Sequence, residues 1–277
     1  MREEINMLTP TLQLPLCNKR IIVTAPRNYA NRLAQELVKL GALPFLMPTI
    51  EIILLQDFTK LDPILYKLNT FDWITFTSRN GIDAFFQRLE YLGVNFSVLK
   101  NNCLCAIGKD AEKLTALGLE VDLIPIEPSP SGIIAELAEI PDIAEQSILV
   151  PVPEVVSVPE PDVVPNFIAG LKKLGMEVTP IPTYKTSCLD KNFYQVELDL
   201  IRQGKIDLIA FSSTAEIAAF LRMFDDCPDN CQNSAIACFG PYTASNARKL
   251  GLKVSIVAED YSSFAGFAQA IAKFYKQ

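Results

Sequence analysis

The sequence FDWITFTS occupies residues 71–78, and the similar sequence IDLIAFSS occupies residues 206–213. In each stretch an aspartate precedes a short run of apolar and β-branched residues, and hydroxyl side chains follow it. This pattern is typical of a buried strand that leads into a helix, because Ser and Thr oxygens accept hydrogen bonds from the unpaired N–H groups of a helix N-terminus. The two stretches predict two equivalent strand–helix units.

Further matches surround both stretches in the same order along the chain. Residues 22–26 resemble 148–151, 40–41 resemble 174–175, 106–108 resemble 238–240, and 117–121 resemble 250–254. Strand-like runs alternate with helical patterns throughout, as in a parallel sheet that is covered by helices on both faces. We therefore predict an α/β fold with an internal duplication.

Two β-rich, proline-containing stretches lie at equivalent places in the two copies, at residues 44–52 and 178–186. Proline is found on edge strands and not inside sheets, so we interpret both stretches as extended segments that link two lobes. Residues 121–124 are predicted to form a strand. The proline-rich residues 151–161 are predicted to form an extended surface loop, with a helix resuming near Asp162.

The composition excludes several classes of function. The chain has no histidine, which removes Ser-His-Asp and Cys-His catalysis as well as His-ligated metals. Its net charge of −7 argues against a nucleic-acid partner. No apolar run reaches the roughly 18 residues of a membrane span, so no membrane association is expected. No G-x-G-x-x-G or G-x-x-x-x-G-K-[ST] motif occurs, so a nucleotide-dependent enzyme has no motif support.

The cysteines indicate reduced thiols in a cytoplasmic protein. There are seven of them, an odd number, and no secretory signal is apparent. Cys227 and Cys231 form the best candidate for a metal or redox pair, but their spacing is not C-x-x-C and no second pair completes a site. We therefore predict no metal and interpret these cysteines as small buried or loop residues.

Small and hydroxyl residues recur where the predicted strands lead into helices. In open α/β sheets, ligands bind beyond the carboxyl ends of the strands, and helix N-termini there favour anions. Each such residue could equally be an ordinary helix cap; together, on two lobes, they predict a cleft that binds carboxylates. These positions are Thr77, Ser78, Gly108, 129–132, 212–214, 240–243, Ser262 and Ser263.

From about Arg20 to Tyr275 the chain resembles the uroporphyrinogen-III synthase family. The residues that carry the resemblance are 71–78, 171–175, 182–184, 211–213, 240–244, 250–251 and 258–271. The resemblance implies two flavodoxin-like lobes joined by a two-stranded linker. The first lobe would be discontinuous, with residues 19–43 and 187–277, and the second would contain residues 54–177. Residues 44–53 and 178–186 would be the linker strands, and residues 1–18 an N-terminal arm.

The resemblance also implies an activity. The family converts hydroxymethylbilane, a linear tetrapyrrole, to uroporphyrinogen III with loss of water and inversion of ring D, in the biosynthesis of haem and other tetrapyrroles. Such a lyase needs no metal or cofactor, which suits a chain without histidine. We expect a cytoplasmic monomer that undergoes hinge motion between its lobes, and substrate hand-over from the preceding enzyme of the pathway is an option.

By position, Tyr184 matches the linker tyrosine of the family and is the catalytic candidate. Two residues depart from the family pattern: Ala111 stands where threonine is frequent, and Val152 stands where a basic or small residue is frequent. Arg79, Lys185 and Arg248 are further cations that would offset the negative net charge. The predicted substrate-binding residues are Arg27, Thr77, Ser78, Gly108, Lys109, Ser212, Ser213, Gly240, Tyr242 and Thr243.

Two other functions remain open at this point. The same duplicated fold could serve as a non-catalytic, two-lobe binding module for a small anionic ligand, since fold does not determine function. A nucleotide-dependent α/β enzyme is the third reading. Isomer analysis of the tetrapyrrole product distinguishes the binding module from a synthase. Thermal stabilisation by nucleotides would favour the nucleotide-dependent enzyme.

Overall fold

A computed structural model describes residues 14–156, 162–225, 231 and 233–276 of the chain. The chain divides into two compact units. The first unit contains the residues up to Glu51 and those from Cys188 onward, and the second contains Ile52–Ser187. No helix in the described ranges has the length and apolar character that would let it span a membrane.

Each unit is built on a five-stranded sheet. The strands are β1 (Arg20–Val23), β2 (Leu43–Leu46), β3 (Ile50–Leu54), β4 (Trp73–Phe76), β5 (Cys103–Ala106), β6 (Ser147–Val156), β7 (Glu177–Cys188), β8 (Leu208–Phe211), β9 (Ala235–Cys238) and β10 (Val254–Val257). The strand order is β10-β9-β8-β1-β2 in the first unit and β3-β7-β6-β4-β5 in the second.

Helices follow most of the strands, as the alternating pattern predicts. They are α1 (Arg27–Lys39), α2 (Leu61–Leu65), α3 (Arg79–Tyr91), α4 (Lys109–Ala116), α5 (Pro130–Ala138), α6 (Val163–Lys173), α7 (Gln195–Arg202), α8 (Thr214–Met223), α9 (Pro241–Lys249) and α10 (Phe264–Tyr275). Short 3₁₀ turns occupy Leu68–Thr70, Phe96–Asn101 and Lys191–Tyr194. The pairings β1–β2, β1–β8, β8–β9 and β9–β10 are parallel, as are β4–β5, β4–β6 and β6–β7. The predicted α/β class with parallel sheets is therefore confirmed.

The cores explain why the strands are apolar on both faces. Each unit has two clusters of buried side chains, one on each face of its sheet. All residues of β4 and β8 are buried. Phe76 packs edge-to-face on Phe85 at 5.3 Å between ring centroids, and Phe211 packs on Phe220 in the same way at 5.2 Å. Such aromatic pairs stabilise the contact between a central strand and the helix that follows it.

The aspartate in each quoted stretch has the same structural role in both units. The Oδ2 atom of Asp72 accepts the backbone N–H of Ser147, the first residue of β6, at 2.8 Å. The Oδ2 atom of Asp207 accepts the backbone N–H of Arg20, the first residue of β1, also at 2.8 Å. Each carboxylate thus bonds the first N–H of the neighbouring strand and holds the two strands in register.

Residues 151–156 do not form the predicted surface loop. They continue β6, which pairs with β7 as far as Val156, and Pro151 and Val152 are buried. The prolines are tolerated because β4 pairs with β6 only as far as Leu149, so that β6 has a partner strand on one side alone beyond that residue. Residues 157–161 lie outside the described residues. The helix predicted near Asp162 is confirmed as α6.

The strand predicted at residues 121–124 is reduced to one isolated bridge between Leu123 and Cys105. The side chain of Asp122 is the reason, because its Oδ2 accepts the Leu104 N–H at 2.7 Å in place of a backbone carbonyl. The ladder cannot extend past this point.

The segments predicted as an arm and as linkers are parts of the two units. Within the predicted arm, residues 14–18 form a turn in which Leu16 is fully buried and donates its N–H to Leu40 O at 2.9 Å. Residues 43–46 form β2 of the first sheet, whereas 50–54 and 177–188 form β3 and β7 of the second.

Candidate functional site

The carboxyl edges of the two sheets carry the capped helix N-termini that the sequence predicts. Ser78, Ser129, Ser213 and Ser263 are the N-cap residues of α3, α5, α8 and α10. Their hydroxyl oxygens accept the N–H of the residue three positions later, at 3.0 to 3.4 Å. Each hydroxyl therefore satisfies one donor of its own helix, and other donors of the first turn remain to bind an anion.

Tyr184 and Ser78 meet at the carboxyl edge of the second unit. Tyr184 lies on β7 with 7% of its surface exposed, and its hydroxyl is 3.1 Å from Ser78 Oγ. Ser78 Oγ also accepts the N–H of Gly81 at 3.1 Å. The structure thus fixes the phenol on a hydroxyl that is itself anchored to the start of α3.

Gly81 makes room for the tyrosine. A Cβ atom at residue 81 would lie 3.8 Å from Tyr184 Cε1 and 3.2 Å from Ser78 Oγ. The φ angle of Gly81 is not positive, so its backbone conformation does not require glycine. Helix propensity does not favour glycine either, because glycine weakens a helix by about 0.5–1 kcal/mol relative to alanine. The small size of residue 81 leaves space for the ring and the hydroxyl beside it.

The other predicted residues of the second unit lie at the ends of β4 and β5. Thr77 is half-buried between β4 and Ser78. Gly108 is the N-cap residue of α4 with φ of +49°, a conformation that favours glycine. Lys109 is the first residue of that helix and is exposed. Ala111 is almost fully buried, so the position of the missing threonine faces the core.

An acidic residue that the sequence did not single out lies between these two helix starts. Asp110 Oδ1 is 4.0 Å from Arg79 Nε, and 17% of the Asp110 side chain is exposed. Burial raises the pKa of Asp110 to about 6, and the positive charges of Arg79 and Lys113 oppose that rise. This carboxyl group therefore titrates close to neutral pH.

The corresponding edge of the first unit is organised by Glu216, which is fully buried in the first turn of α8. Its carboxyl group accepts the N–H of Ser212 at 2.8 Å, the hydroxyl of Ser212, and the hydroxyl of Ser213 at 3.0 Å. Thr24 Oγ1 lies 2.8 Å from Glu216 Oε2. Burial raises the pKa of Glu216, and these hydrogen bonds oppose the rise.

This network changes what Ser212 and Ser213 offer a ligand. The N–H and the hydroxyl of Ser212, together with the hydroxyl of Ser213, donate to Glu216 within the same unit. A ligand carboxylate at this helix start would have to displace Glu216 from these groups or bind the remaining backbone donors of α8. Thr49 reinforces the arrangement by donating its hydroxyl to the backbone oxygen of Glu216 at 3.0 Å.

The remaining predicted residues of the first unit are spread over α1 and α9. Arg27 begins α1, and a hydrogen bond from its guanidinium opposes the rise that burial causes in the pKa of Tyr194. Gly240 is the N-cap residue of α9, Tyr242 is 43% exposed, and Thr243 is buried. Arg248 lies in the last turn of the same helix, at the opposite end from Gly240.

The sequence contains a signal for Glu216 that was missed. Ser213-Thr214-Ala215-Glu216 has the S-x-x-E pattern of a capping box, which predicts a carboxylate at the helix start. Asp110 has no comparable signal, because its burial and its approach to Arg79 depend on how α3 packs on α4. In the described part of the chain, no three Cys, Asp or Glu side chains cluster as metal ligands. Cys227 lies outside that part, and Cys231 is buried.

Comparison with known proteins places the chain in a family. Residues 31–268 match the family described as Uroporphyrinogen-III synthase HemD. The uroporphyrinogen-III synthase of Synechococcus elongatus is 26% identical over 95% of this chain and 98% of its own length. The Porphyrin biosynthesis protein HemD of Ruminiclostridium josui is 27% identical over 90% of this chain, and the chain spans 47% of that relative.

The fold agrees with the sequence match. A crystal structure of a mutant uroporphyrinogen III synthase from Thermus thermophilus superimposes with a TM-score of 0.69, covering 92% of this chain and 99% of that chain at 18% identity. At this identity the superposition shows a shared fold alone, and the match over residues 31–268 shows the relationship. The chain therefore belongs to the uroporphyrinogen-III synthase family.

Proposed function

We propose that the chain converts hydroxymethylbilane to uroporphyrinogen III, with loss of water and inversion of ring D, as a lyase of tetrapyrrole biosynthesis. The observation that carries this proposal is the contact of the Tyr184 hydroxyl with Ser78 at 3.1 Å, at the carboxyl edge of a sheet, in a member of this family. Tyr184 is a residue of the motif on which the resemblance depends, and its hydroxyl is held by a helix start that suits an anionic substrate.

In the proposed reaction, Tyr184 assists departure of the substrate hydroxyl group. Ser78 Oγ accepts the Gly81 N–H and can donate its own proton to the phenol oxygen, so that the phenol can act as a hydrogen-bond donor. The phenol donates its proton to the hydroxyl of the hydroxymethyl group as the C–O bond breaks, so that water leaves and an azafulvene cation and a phenolate remain. A proton released when the macrocycle forms later restores the phenol. The substituted carbon of ring D then attacks this cation, and a spiro intermediate leads to the inverted ring.

Positioning accounts for the choice of isomer. The linear substrate closes by itself to the uninverted isomer, so the protein has to hold the chain where the substituted carbon of ring D reacts first. Backbone N–H groups at the starts of α3, α4, α8 and α9 bind carboxylates without adding net charge, which reconciles a polyanionic substrate with a net charge of −7. Arg27, Lys109 and Tyr242 add side-chain donors to this set.

We further propose that the two units arose by internal duplication and act as the two lobes of the enzyme. The order β2-β1-β8-β9 in the first sheet corresponds to β7-β6-β4-β5 in the second, and Asp72 and Asp207 make equivalent bonds to a neighbouring strand. The boundaries between the units fall at Glu51–Ile52 and Ser187–Cys188, so we propose that the strands of residues 44–53 and 178–186 belong to the sheets and also link the units. We propose a cytoplasmic monomer that receives its substrate from the enzyme that makes it.

The decisive experiment is isomer analysis of the product. Purified protein is mixed with freshly prepared hydroxymethylbilane, the product is oxidised, and uroporphyrins III and I are separated by chromatography. We expect isomer III to exceed isomer I in proportion to the amount of protein added. Isomer I alone, as in a blank without protein, would eliminate the proposed function and favour a binding module.

A further inference from the structure

A four-charge network connects α3 and α4. Arg79 and Asp83 lie on α3, and Asp110 and Lys113 lie on α4. Arg79 faces Asp110 at 4.0 Å, and the ammonium group of Lys113 bonds the carboxylate of Asp83. The two pairs lie across the same helix–helix contact, but Lys113 has a direct ion pair whereas Arg79 has a looser one.

The guanidinium group of Arg79 keeps donors available. Its Nε faces Asp110 beyond hydrogen-bond distance, and no described residue accepts a hydrogen bond from its two terminal nitrogens. The side chain is 37% exposed. A planar guanidinium of this kind binds a carboxylate with two parallel hydrogen bonds.

The position of Arg79 links it to the catalytic candidate. Arg79 follows Ser78, which contacts the Tyr184 hydroxyl, and both residues stand at the start of α3. Asp110 approaches from the start of α4 and is largely buried, so it can reach the guanidinium but cannot move far from it.

We propose that Arg79 binds a carboxylate of the tetrapyrrole substrate and that Asp110 is the positioning residue that holds the Arg79 guanidinium for this contact. The inference rests on the proposed function for the identity of the substrate. Asp110 acts through Arg79 and does not touch the substrate, so its contribution requires both the aspartate charge and the arginine.

The sign of the pH dependence follows from the charge of Asp110. Above about pH 6 the ionised carboxylate attracts Arg79, and below this pH the protonated acid does not. The charged groups that act on Asp110 are Arg79 and Asp83 from α3 and Lys113 from α4. We expect substrate binding to weaken as the pH falls through about 6.

The test uses uroporphyrin III, the oxidised product, as a binding probe between pH 5.5 and 8.5, together with kcat/KM for hydroxymethylbilane. Asp110→Asn should weaken probe binding at pH 8 about fivefold, the size of a coupling between contacting charged residues. It should raise KM with little change in kcat and remove the inflection near pH 6. Asp110→Glu should restore part of the affinity.

A double-mutant cycle separates positioning from a structural role. In an Arg79→Gln background, Asp110→Asn should have no further effect, because the group through which Asp110 acts has gone. Asp83→Asn is the matched control, since it breaks the other cross-helix pair and should keep both the affinity and an inflection, moved to lower pH. Additive effects of the two substitutions, or an unchanged inflection in Asp110→Asn, would overturn the proposal.

Two outcomes keep the inference separate from the proposed function. If the wild-type protein forms no isomer III but binds uroporphyrin III in a manner that depends on Asp110 and Arg79 together, the function fails and the assignment of the pair stands. If Asp110→Asn does not fold, the pH profile of Arg79→Gln decides, because the inflection has to be absent from it.

Discussion

The Tyr184 ring lies against Gly81, where an added Cβ would stand 3.8 Å from Tyr184 Cε1. In the first unit, the position that follows the helix cap by three residues is Glu216, whose carboxyl group bonds Ser212 and Ser213. In the second unit, the corresponding residue has no side chain, and the hydroxyl of a tyrosine from β7 contacts the cap instead. In the first unit, a carboxylate of α8 itself therefore occupies the side chains at the start of that helix. In the second unit, a phenol from β7 contacts the start of α3.

Enlarging residue 81 should displace the tyrosine. Gly81→Val places methyl groups towards Ser78 Oγ and the Tyr184 ring, and we expect kcat to fall about tenfold or more, as when a catalytic group is misplaced by about 1 Å. Steady-state kinetics with hydroxymethylbilane and a thermal denaturation curve measure the effect. Gln87→Val, at an exposed site of the same helix, is the control and should keep its turnover. Full activity of Gly81→Val would show that the ring needs no such space.

Removing the phenol hydroxyl should slow the reaction without preventing binding. For Tyr184→Phe we expect kcat to fall by about 10² or more, the usual contribution of a positioned acid, with a small change in KM. Ser78→Ala should show a smaller loss of the same kind, because the phenol remains but its partner has gone. Tyr91→Phe changes a tyrosine that is 77% exposed and is the matched control. If Tyr184→Phe kept its turnover and its isomer purity, the catalytic role would be wrong.

Replacing Glu216 should reduce stability. In Glu216→Gln an NH₂ group takes the place of one acceptor among donors from Ser212, Ser213 and Thr24, so a buried donor loses its partner. An unsatisfied buried group costs about 1–3 kcal/mol, and we expect the free energy of unfolding to fall by that amount in urea titrations. Glu259→Gln removes a pair in which the glutamate is 89% exposed and should change little.

Two thiols should be inert while the chain is folded. Burial raises the pKa of Cys105 to about 12 and that of Cys238 to about 12, and both side chains are inaccessible. Because the thiolate is the reactive form, neither cysteine should react with iodoacetamide at pH 8. Peptide mapping by mass spectrometry checks this, with half-buried Cys17 as the internal comparison. Labelling of Cys105 at the rate of Cys17 would contradict the buried environment.

Sequence patterns predicted the elements that depend on short-range signals. Hydroxyl residues after apolar runs located the starts of α3 and α8, because a cap and its helix are adjacent in the chain. The errors arose where contacts between distant parts of the chain determine the secondary structure. Pro151 lies in a strand because β4 stops short of it, and Asp122 ends a ladder by bonding Leu104 with its side chain.

The chemistry of the site could be predicted only in part from the sequence, because it too depends on long-range contacts. The tyrosine could be identified because it lies within a recognisable motif, but its contact with Ser78 joins residues from distant parts of the chain. Ser212 and Ser213 were predicted as ligand donors, and their engagement by Glu216 depends on complete burial of that carboxyl group. Burial sets both the raised pKa of Glu216 and that of Asp110, and burial is a property of packing.

The bond between Asp72 and Ser147 should make a measurable, pH-dependent contribution to stability. Hydrogen bonds from the backbone and side chain of Ser147 lower the pKa of Asp72 below 3.8. A lowered pKa means that the contribution is present above the unfolded value and is lost as the pH falls through the folded one. Asp72→Asn should therefore lower the free energy of unfolding at pH 7 by about 1 kcal/mol or less, a modest figure because the carboxylate is exposed to solvent.

Urea titrations of the wild type and Asp72→Asn at pH 7, 5 and 3 test this contribution. The difference between the two proteins should persist from pH 7 to 5 and shrink below about pH 4, since a protonated aspartate and an asparagine are both neutral acceptors for the Ser147 N–H. Asp199→Asn, on an exposed residue paired with Arg202, should show little difference at pH 7. A difference for Asp72→Asn that stayed constant down to pH 3 would mean that the charge of Asp72 does not hold β4 and β6 together.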